Sequence, residues 1–216
     1  MWQATSLYAR VSALSSDGMS VLRALRRGKP IVVVSGLPRS GTSMAMRMLE
    51  AGGVPILTDR VRKADSSNPH GYFELEAVKH LGKPSDLSWL DGARGKAVKI
   101  VSSLLTWLPE TYDYRVIFMR RDLSEVVASQ DTMLVVRGEQ AGSDVERMQT
   151  LYAQHLADVE RFLAKRRCFT TLYVDHRRVL EQPRDEAARI ADFIGGRLDV
   201  DAMARAVDPR LYRNRG

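Results

Sequence analysis

The residues best suited to chemistry lie in one short stretch, GLPRSGTS, at positions 36–43. It combines two glycines, one arginine and three hydroxyl side chains. The apolar, β-branched run before it, at residues 31–34, is typical of a buried parallel strand. Apolar residues then recur at helical spacing from Met44 to Leu49, so a helix begins inside or just after the loop. A strand, a glycine-containing loop and a helix N-terminus together predict a site for an anion such as phosphate.

The spacing of this stretch is close to that of the nucleotide-triphosphatase loop, G-x-x-x-x-G-K-[ST]. Thr42 stands where that loop carries the lysine that reaches the β- and γ-phosphates. Thr42 and Ser43 still offer hydroxyl donors, and Arg39 can bind an oxyanion through two N–H groups. The stretch therefore predicts a phosphate site but argues against ordinary ATP or GTP hydrolysis. The simpler alternative is a tight turn between strand and helix that binds no ligand.

Residues 38–43, PRSGTS, resemble the 5′-phosphosulfate loop of the sulfotransferase superfamily, P-[KR]-[SG]-G-[TS]-[TS]. Residues 114–130, YRVIFMRRDLSEVVASQ, resemble the element that binds the 3′-phosphate in that superfamily. In that element a strand is followed by an arginine and, eight residues later, by a serine on the next helix. Arg121 and Ser129 have this spacing, which a merely exposed pair of arginines does not explain. The two motifs stand in the right order, and the similarity covers roughly residues 30–182.

The resemblance implies an α/β fold with a central parallel sheet flanked by helices, similar to P-loop nucleotide-binding proteins. It implies 3′-phosphoadenosine 5′-phosphosulfate as the cofactor and 3′,5′-adenosine bisphosphate as its product. A metal ion is not implied, because side-chain cations neutralise the leaving group. The resemblance assigns cofactor binding to Pro38, Arg39, Ser40, Gly41, Thr42, Ser43, Arg121, Ser129, Tyr173 and Arg213. For Arg213 the match is loose, and a solvated C-terminal tail is the alternative.

A general base for the acceptor's proton is expected where the second strand ends. Residues 54–57, VPIL, predict a short strand that leads to Asp59, and ligands of open α/β sheets bind beyond the carboxyl ends of strands. The resembling enzymes have a carboxylate or histidine about here, so Asp59 is the first candidate, with a capping or turn residue as the alternative. Glu74 and His70 lie in a stretch that resembles NPxGYFE and are further candidates. Glu74 alternatively begins a helix, and for His70 we favour an exposed turn.

Lys99 and Arg39 are the candidate cations of the reaction. Lys99 lies near the end of a strand predicted at residues 96–101, where the sulfotransferase superfamily often has a lysine close to the transferring group. A cation there stabilises the charge that grows on the bridging oxygen. The alternative for Lys99 is a lysine that keeps an edge strand soluble.

Length and composition fit one globular domain. The chain has 216 residues, 44% hydrophobic and 27% charged, which suffices for a sizeable core. We expect one domain over residues 1–216, with an N-terminal helical extension at residues 1–29. The net charge of +7 suits a polyanionic ligand, and no basic stripe interleaved with aromatic residues points to nucleic acid. Periodicity predicts further strands at residues 115–119 and 170–174 and helices at residues 124–130, 143–166 and 183–193.

Several other kinds of site are not expected. Cys168 is the single cysteine, so no disulfide forms within the chain, and the four histidines lack the spacing of metal ligands. No apolar run approaches the roughly 18 residues of a membrane span. The N-terminus lacks the hydrophobic core of a signal peptide. We therefore expect a cytoplasmic protein with no metal and no membrane span.

These observations lead to one functional hypothesis and two alternatives. The chain is expected to transfer a sulfuryl group to a hydroxyl, or less often an amine, of a small-molecule, carbohydrate or lipid acceptor. The first alternative is a P-loop kinase with a variant loop, which needs Mg²⁺ and a lysine that position 42 lacks. The second is a non-catalytic nucleotide-binding relative without a working base. The loops expected to select the acceptor, residues 60–74, 83–95 and 131–143, carry no pattern that names it, and the sequence carries no signal of oligomeric state.

Overall fold

The computed structural model of the protein describes residues 28–59, 73–84, 86–136, 138 and 144–208. The predicted helices of the N-terminal extension, His70 and Arg213 lie outside these residues. The strands are β1 (Ile31–Gly36), β2 (Ala97–Lys99), β3 (Tyr114–Arg120) and β4 (Phe169–Asp175). The helices are α1 (Thr42–Ala51), α2 (Trp89–Ala93), α3 (Leu123–Val136), α4 (Val145–Lys165), α5 (His176–Glu181), α6 (Pro183–Ile194) and α7 (Val200–Arg205). Two 3₁₀ helices span Glu76–His80 and Ser102–Trp107.

The described strands form one parallel sheet in the order β2-β1-β3-β4. Every residue of β1 is buried, because β1 lies between two other strands and both of its faces are covered by helices. This is why its sequence is almost continuously apolar rather than alternating. The predicted fold class, a parallel sheet flanked by helices, is confirmed.

The sheet separates two apolar layers. Val32 and Val34 of β1 pack on one side with α1, α5, α6 and α7. Ile31 and Val33 point to the other side, where α2, α4 and the 3₁₀ helix Ser102–Trp107 cover the sheet. The period of two along β1 therefore decides which layer each side chain joins.

The connections change direction between β1 and β3, which are neighbours in the sheet. The chain leaves β1 through α1 and returns at β2 on one side, whereas it leaves β3 through α3 and α4 and returns at β4 on the other. The two connections separate at the carboxyl ends of β1 and β3 and leave a crevice there. Ligands of open α/β sheets bind in such a crevice.

The strand predicted at residues 54–57 is wrong, because this segment makes only one isolated bridge, from Ile56 to Ala97. The Pro55 carbonyl accepts from the Ala97 N–H and the Leu57 N–H donates to the Ala97 carbonyl, each at 2.8 Å. Pro55 has no N–H to extend the ladder. Beyond the bridge, the N–H of Asp59 bonds to the Glu74 carbonyl oxygen instead of β2.

The expectation that residues 83–95 form only a loop is also wrong, because α2 lies within it. Leu90 and Ala93, three residues apart, are fully buried against the layer that contains α4. Asp91 and Gly92 between them are exposed and gave the segment the composition of a turn. Tertiary packing of the Leu90–Ala93 face outweighs the low helix propensity of the glycine.

We expect Glu186→Gln to lower the free energy of unfolding by about 1.5–3 kcal/mol, the range for a hydrogen bond to a charged group. The Glu186 carboxylate on α6 is buried and lies 2.6 Å from Arg189 and 3.1 Å from Arg178 on α5. Arg189 also donates to the carbonyl of Tyr173 on β4, so one carboxylate links three elements. Urea denaturation measures the change. Glu181→Gln, at an exposed position of α5, is the control, and equal stability of the two variants contradicts the role given to Glu186.

Candidate functional site

The loop between β1 and α1 is wound so tightly that two positions require glycine. Gly36 has a φ of 148°, and a Cβ there would lie 2.5 Å from Ser40 Oγ and 2.7 Å from the carbonyl oxygen of Met119. Gly41 has a φ of 102°, and a Cβ there would lie 2.6 Å from Cδ2 of His176. Both backbone conformation and space exclude a side chain. The loop is therefore held between the ends of β1, β3 and β4.

The backbone of this loop has the features of an anion receptor. Arg39 adopts the left-handed conformation, with a φ of 69°, which is uncommon for a residue with a side chain and occurs where successive N–H groups turn toward one anion. Helix α1 begins directly afterwards at Thr42, and the first N–H groups of a helix have no partner within it. The buried hydroxyl of Ser40 has no hydrogen-bond partner within the described part of the chain. A phosphate or sulfate oxygen would satisfy these donors.

Three basic side chains surround the loop. Lys99, the last residue of β2, donates to Ser43 Oγ at 3.3 Å. Arg39 Nε donates to Ser129 Oγ at 3.0 Å, and Arg121 Nη1 donates to the Arg39 carbonyl oxygen at 3.1 Å. The two sequence motifs, 90 residues apart at Arg39 and Ser129, are thus in direct contact.

Arg121 is oriented by a carboxylate that the sequence analysis missed. Arg121 Nε donates to Glu125 Oε2 at 2.8 Å, and the two side chains are only 9% and 6% exposed. Glu125, four residues after Arg121, lies in the first turn of α3, and Arg121 lies just before that helix begins. That spacing was a usable signal. The pair fixes the plane of the Arg121 guanidinium, and Arg39 connects Arg121 to Ser129, which is also buried.

Asp59 and Glu74, the candidate bases, lie next to each other beyond β2. The N–H of Asp59 bonds to the Glu74 carbonyl oxygen at 3.3 Å, and Thr58 Oγ1 donates to the same oxygen at 2.7 Å. Because Ile56 pairs in parallel with Ala97, the chain reaches Asp59 near the carboxyl end of β2. The Asp59 carboxylate accepts from the Glu76 N–H at 2.5 Å, so it caps the 3₁₀ helix. A role as proton acceptor stays a prediction for both residues.

Tyr173 lies at the end of β4, on the face of the sheet covered by α4. Its ring meets Phe118 edge to face at 5.7 Å, and the Arg120 guanidinium lies 4.2 Å from the ring centroid. Arg120 also pairs with Glu160 of α4 at 2.5 Å. Burial raises the pKa of the Tyr173 hydroxyl. Contact between Tyr173 and a nucleotide stays a prediction.

His176, which the sequence analysis did not single out, lies under the loop. It is the first residue of α5, directly after β4, and only 7% exposed. Burial lowers the pKa of its imidazole to about 4, and the positive charge of Arg121 acts in the same direction. The ring is therefore neutral at pH 7. No local pattern marks a contact between residues 41 and 176, so the sequence offered no signal.

The functional groups form a row along the carboxyl edge of the sheet. The strand order puts Lys99 on β2 to one side of the loop and Arg121, after β3, to the other. Neighbouring strands lie about 4.8 Å apart, so the row from β2 to β3 is about 10 Å long. Asp59 and Glu74 extend it beyond β2. An elongated anion with two charged ends fits this row, and the donors present, from the Ser40 hydroxyl to Lys99 and Arg121, suit phosphate and sulfate oxygens.

Within the described residues, no group of three or more His, Cys, Asp or Glu side chains is arranged to hold a metal ion. Over the same residues, no helix is both long and apolar enough to cross a bilayer.

The fold and the loop define an α/β protein of the P-loop-like class. Among solved structures, the chain is similar to the sulfotransferase domain of the olefin synthase of Synechococcus PCC 7002, with 16% sequence identity and a TM-score of 0.50. That similarity covers 88% of this chain and 82% of the domain. A sulfotransferase domain from the curacin biosynthetic pathway is similar at 14% identity and a TM-score of 0.44, over 82% of this chain and 83% of that one. No protein-family model and no curated protein matches the chain. The chain has a sulfotransferase-like fold.

We expect His176 to make the protein less stable as the pH falls from 6.5 to 4. Above pH 6.5, the unperturbed pKa, the imidazole is neutral in both states. Below it, the unfolded chain binds a proton that the folded protein does not bind until about pH 4. At 1.36 kcal/mol for each pH unit, the loss reaches about 3 kcal/mol. Urea denaturation at several pH values measures it, with His176→Asn as the uncharged comparison. Parallel pH profiles for the two proteins contradict this assignment.

Proposed function

We propose that the chain is a sulfotransferase that uses 3′-phosphoadenosine 5′-phosphosulfate and transfers its sulfuryl group to a hydroxyl or amine acceptor. The observation that carries this proposal is the link among Arg39, Ser129 and Arg121. In this proposal, the link joins the loop that holds the 5′-phosphosulfate to the two side chains that hold the 3′-phosphate. A ligand with phosphate groups on both the 3′ and the 5′ oxygens of one ribose needs two such centres close together, whereas a ligand with a single phosphate chain does not.

The proposed cofactor has a residue for each of its charged groups. The amides of the loop from Pro38 to Ser43, together with the hydroxyls of Ser40, Thr42 and Ser43, hold the 5′-phosphosulfate. Arg121, oriented by Glu125, and Ser129 hold the 3′-phosphate. Arg39 lies between the two centres. Tyr173 and Arg213 remain proposed contacts to the nucleotide on the strength of the sequence resemblance alone.

In the proposed reaction, a bond forms between the acceptor oxygen and sulfur while the bond between sulfur and the bridging phosphate oxygen breaks. The acceptor's proton goes to Asp59 or Glu74. The electron pair of the broken bond stays on the phosphate oxygen, where Lys99 and Arg39 stabilise the added charge. The Lys99 side chain is already held beside the loop by Ser43. As in phosphoryl transfer, the protein mainly aligns the reacting groups and supplies compensating charge.

We expect calorimetric titration to give tight binding of 3′,5′-adenosine bisphosphate and a loss of about 10- to 100-fold for Arg121→Ala. One charge-assisted hydrogen bond contributes about 1.5–3 kcal/mol, and each 1.4 kcal/mol is tenfold. Arg161→Ala is the control, because Arg161 is exposed on α4 and pairs with Asp158 of the same helix. Stronger binding of ATP–Mg²⁺ than of the bisphosphate overturns the proposal and favours a kinase. Equal losses in both variants contradict the assignment of Arg121.

We expect the amide variant of the true base to lower the transfer rate by about 10²- to 10⁴-fold, the range for general base catalysis. Asp59→Asn and Glu74→Gln are compared, after a panel of simple phenols and alcohols has identified an acceptor for the wild-type protein. Asn at position 59 still offers an oxygen to the Glu76 N–H, so the cap of the 3₁₀ helix is retained. The release of 3′,5′-adenosine bisphosphate is measured. Undiminished rates in both variants remove both base assignments.

A further inference from the structure

His176 belongs to neither of the two sequence motifs, yet its imidazole packs against Gly41 in the loop between β1 and α1. It fills the space directly beside the Cα of Gly41, the position that a Cβ of residue 41 would need. Gly41 is the N-cap of α1, and its left-handed backbone sets the direction of the first N–H groups of that helix. A displacement of Gly41 would therefore turn the donors of the loop away from a bound anion.

The start of helix α5 fixes the position of the His176 ring. Asp175, the last residue of β4, accepts a hydrogen bond from the Arg178 N–H at 3.0 Å and caps α5. His176 is the first residue of that helix and is 7% exposed, so the ring has little freedom. Met119 of β3 lies close to the same point, because its Cε would lie 3.4 Å from the added Cβ. Gly41 thus packs against side chains from β3 and from the start of α5.

We propose that His176 is a positioning residue for the half of the site that binds the 5′-phosphosulfate. The ring holds Gly41 so that the N–H groups at the start of α1 converge on the 5′ group. The inference rests on the proposed function for the identity of the ligand, but the effect on the loop does not depend on it. The 3′-phosphate half has its own support in the Arg121–Glu125 pair and is not expected to need the ring.

The first test uses the ligand-free full chain. Hydrogen–deuterium exchange by mass spectrometry should show exchange at least about 10-fold faster in the peptide that contains residues 36–44 of His176→Ala than in wild type. His176→Asn should restore slow exchange, because Asn keeps Cγ and a planar atom near the place of Cδ2. His80→Ala, at an exposed histidine, is the control. Loop exchange that is unchanged in His176→Ala overturns the proposal. Should this variant not fold, His176→Thr, which also lacks an atom at the Cδ2 position, replaces it.

The second test separates a positioning role from general loss of structure. Dissociation constants are measured for 5′-AMP, 3′-AMP and 3′,5′-adenosine bisphosphate. His176→Ala should weaken 5′-AMP and the bisphosphate by about tenfold, the effect of one or two misaligned hydrogen bonds, and leave 3′-AMP unchanged. Arg121→Ala should instead weaken 3′-AMP and the bisphosphate. Equal weakening of all three nucleotides by His176→Ala indicates a merely structural residue and overturns the proposal.

The two proposals fail in different ways. If the wild-type protein binds none of the three nucleotides, the proposed function fails, and loop exchange alone decides the role of His176. If the wild-type protein binds the bisphosphate but His176→Ala changes neither loop exchange nor 5′-AMP affinity, the proposed function stands and the role of His176 is wrong.

Discussion

The candidate site depends on Arg39, which forms hydrogen bonds through both its side chain and its backbone carbonyl. The Arg39 side chain donates to Ser129 on α3, and its carbonyl oxygen accepts from Arg121 after β3. These two bonds tie the loop after β1 to the element after β3. Arg39 adopts a left-handed backbone, a conformation that costs on the order of 1–3 kcal/mol and persists only where surrounding contacts impose it. The contacts that impose it here are the ones that bring the two halves of the site together.

The buried pair of Arg121 and Glu125 near this link orients the arginine more than it stabilises the fold. The desolvation cost of a buried ion pair such as Arg121 and Glu125 offsets most of its Coulombic gain. The arrangement instead keeps the guanidinium plane in one direction at the mouth of the crevice. The neutral ring of His176 adds no further positive charge beside Arg121, because burial and that same arginine lower its pKa. The positive charge of the site therefore comes from Arg39, Lys99 and Arg121, and His176 adds none at pH 7.

The sequence predicted the elements whose own residues carry a clear apolar pattern. Strands β1, β3 and β4 follow from runs of four or five residues that are mostly apolar or β-branched, and helices α1, α4 and α6 follow from helical periodicity. Short elements were missed or misread, since α2 and the single bridge at Ile56 depend on tertiary packing and on Pro55 rather than on local propensity. For the site, the motifs singled out Arg39, Arg121 and Ser129, and the fold links these residues by hydrogen bonds, whereas their roles stay predictions. Glu125 was readable from its spacing to Arg121, whereas His176 meets Gly41 only through the folded sheet.

The two ends of the row of functional groups differ in how much strand pairing supports them. The loop and Arg121 follow β1 and β3, which pair over six residues and lie in the middle of the sheet. Lys99, Asp59 and Glu74 depend on the three-residue edge strand β2 and a single bridge beside it. Substitutions near that edge disturb few backbone hydrogen bonds, whereas changes near β1 and β3 disturb the centre of the fold. Under the proposed function, substitutions at the β2 end can therefore change which acceptor is used without disturbing the loop that follows β1.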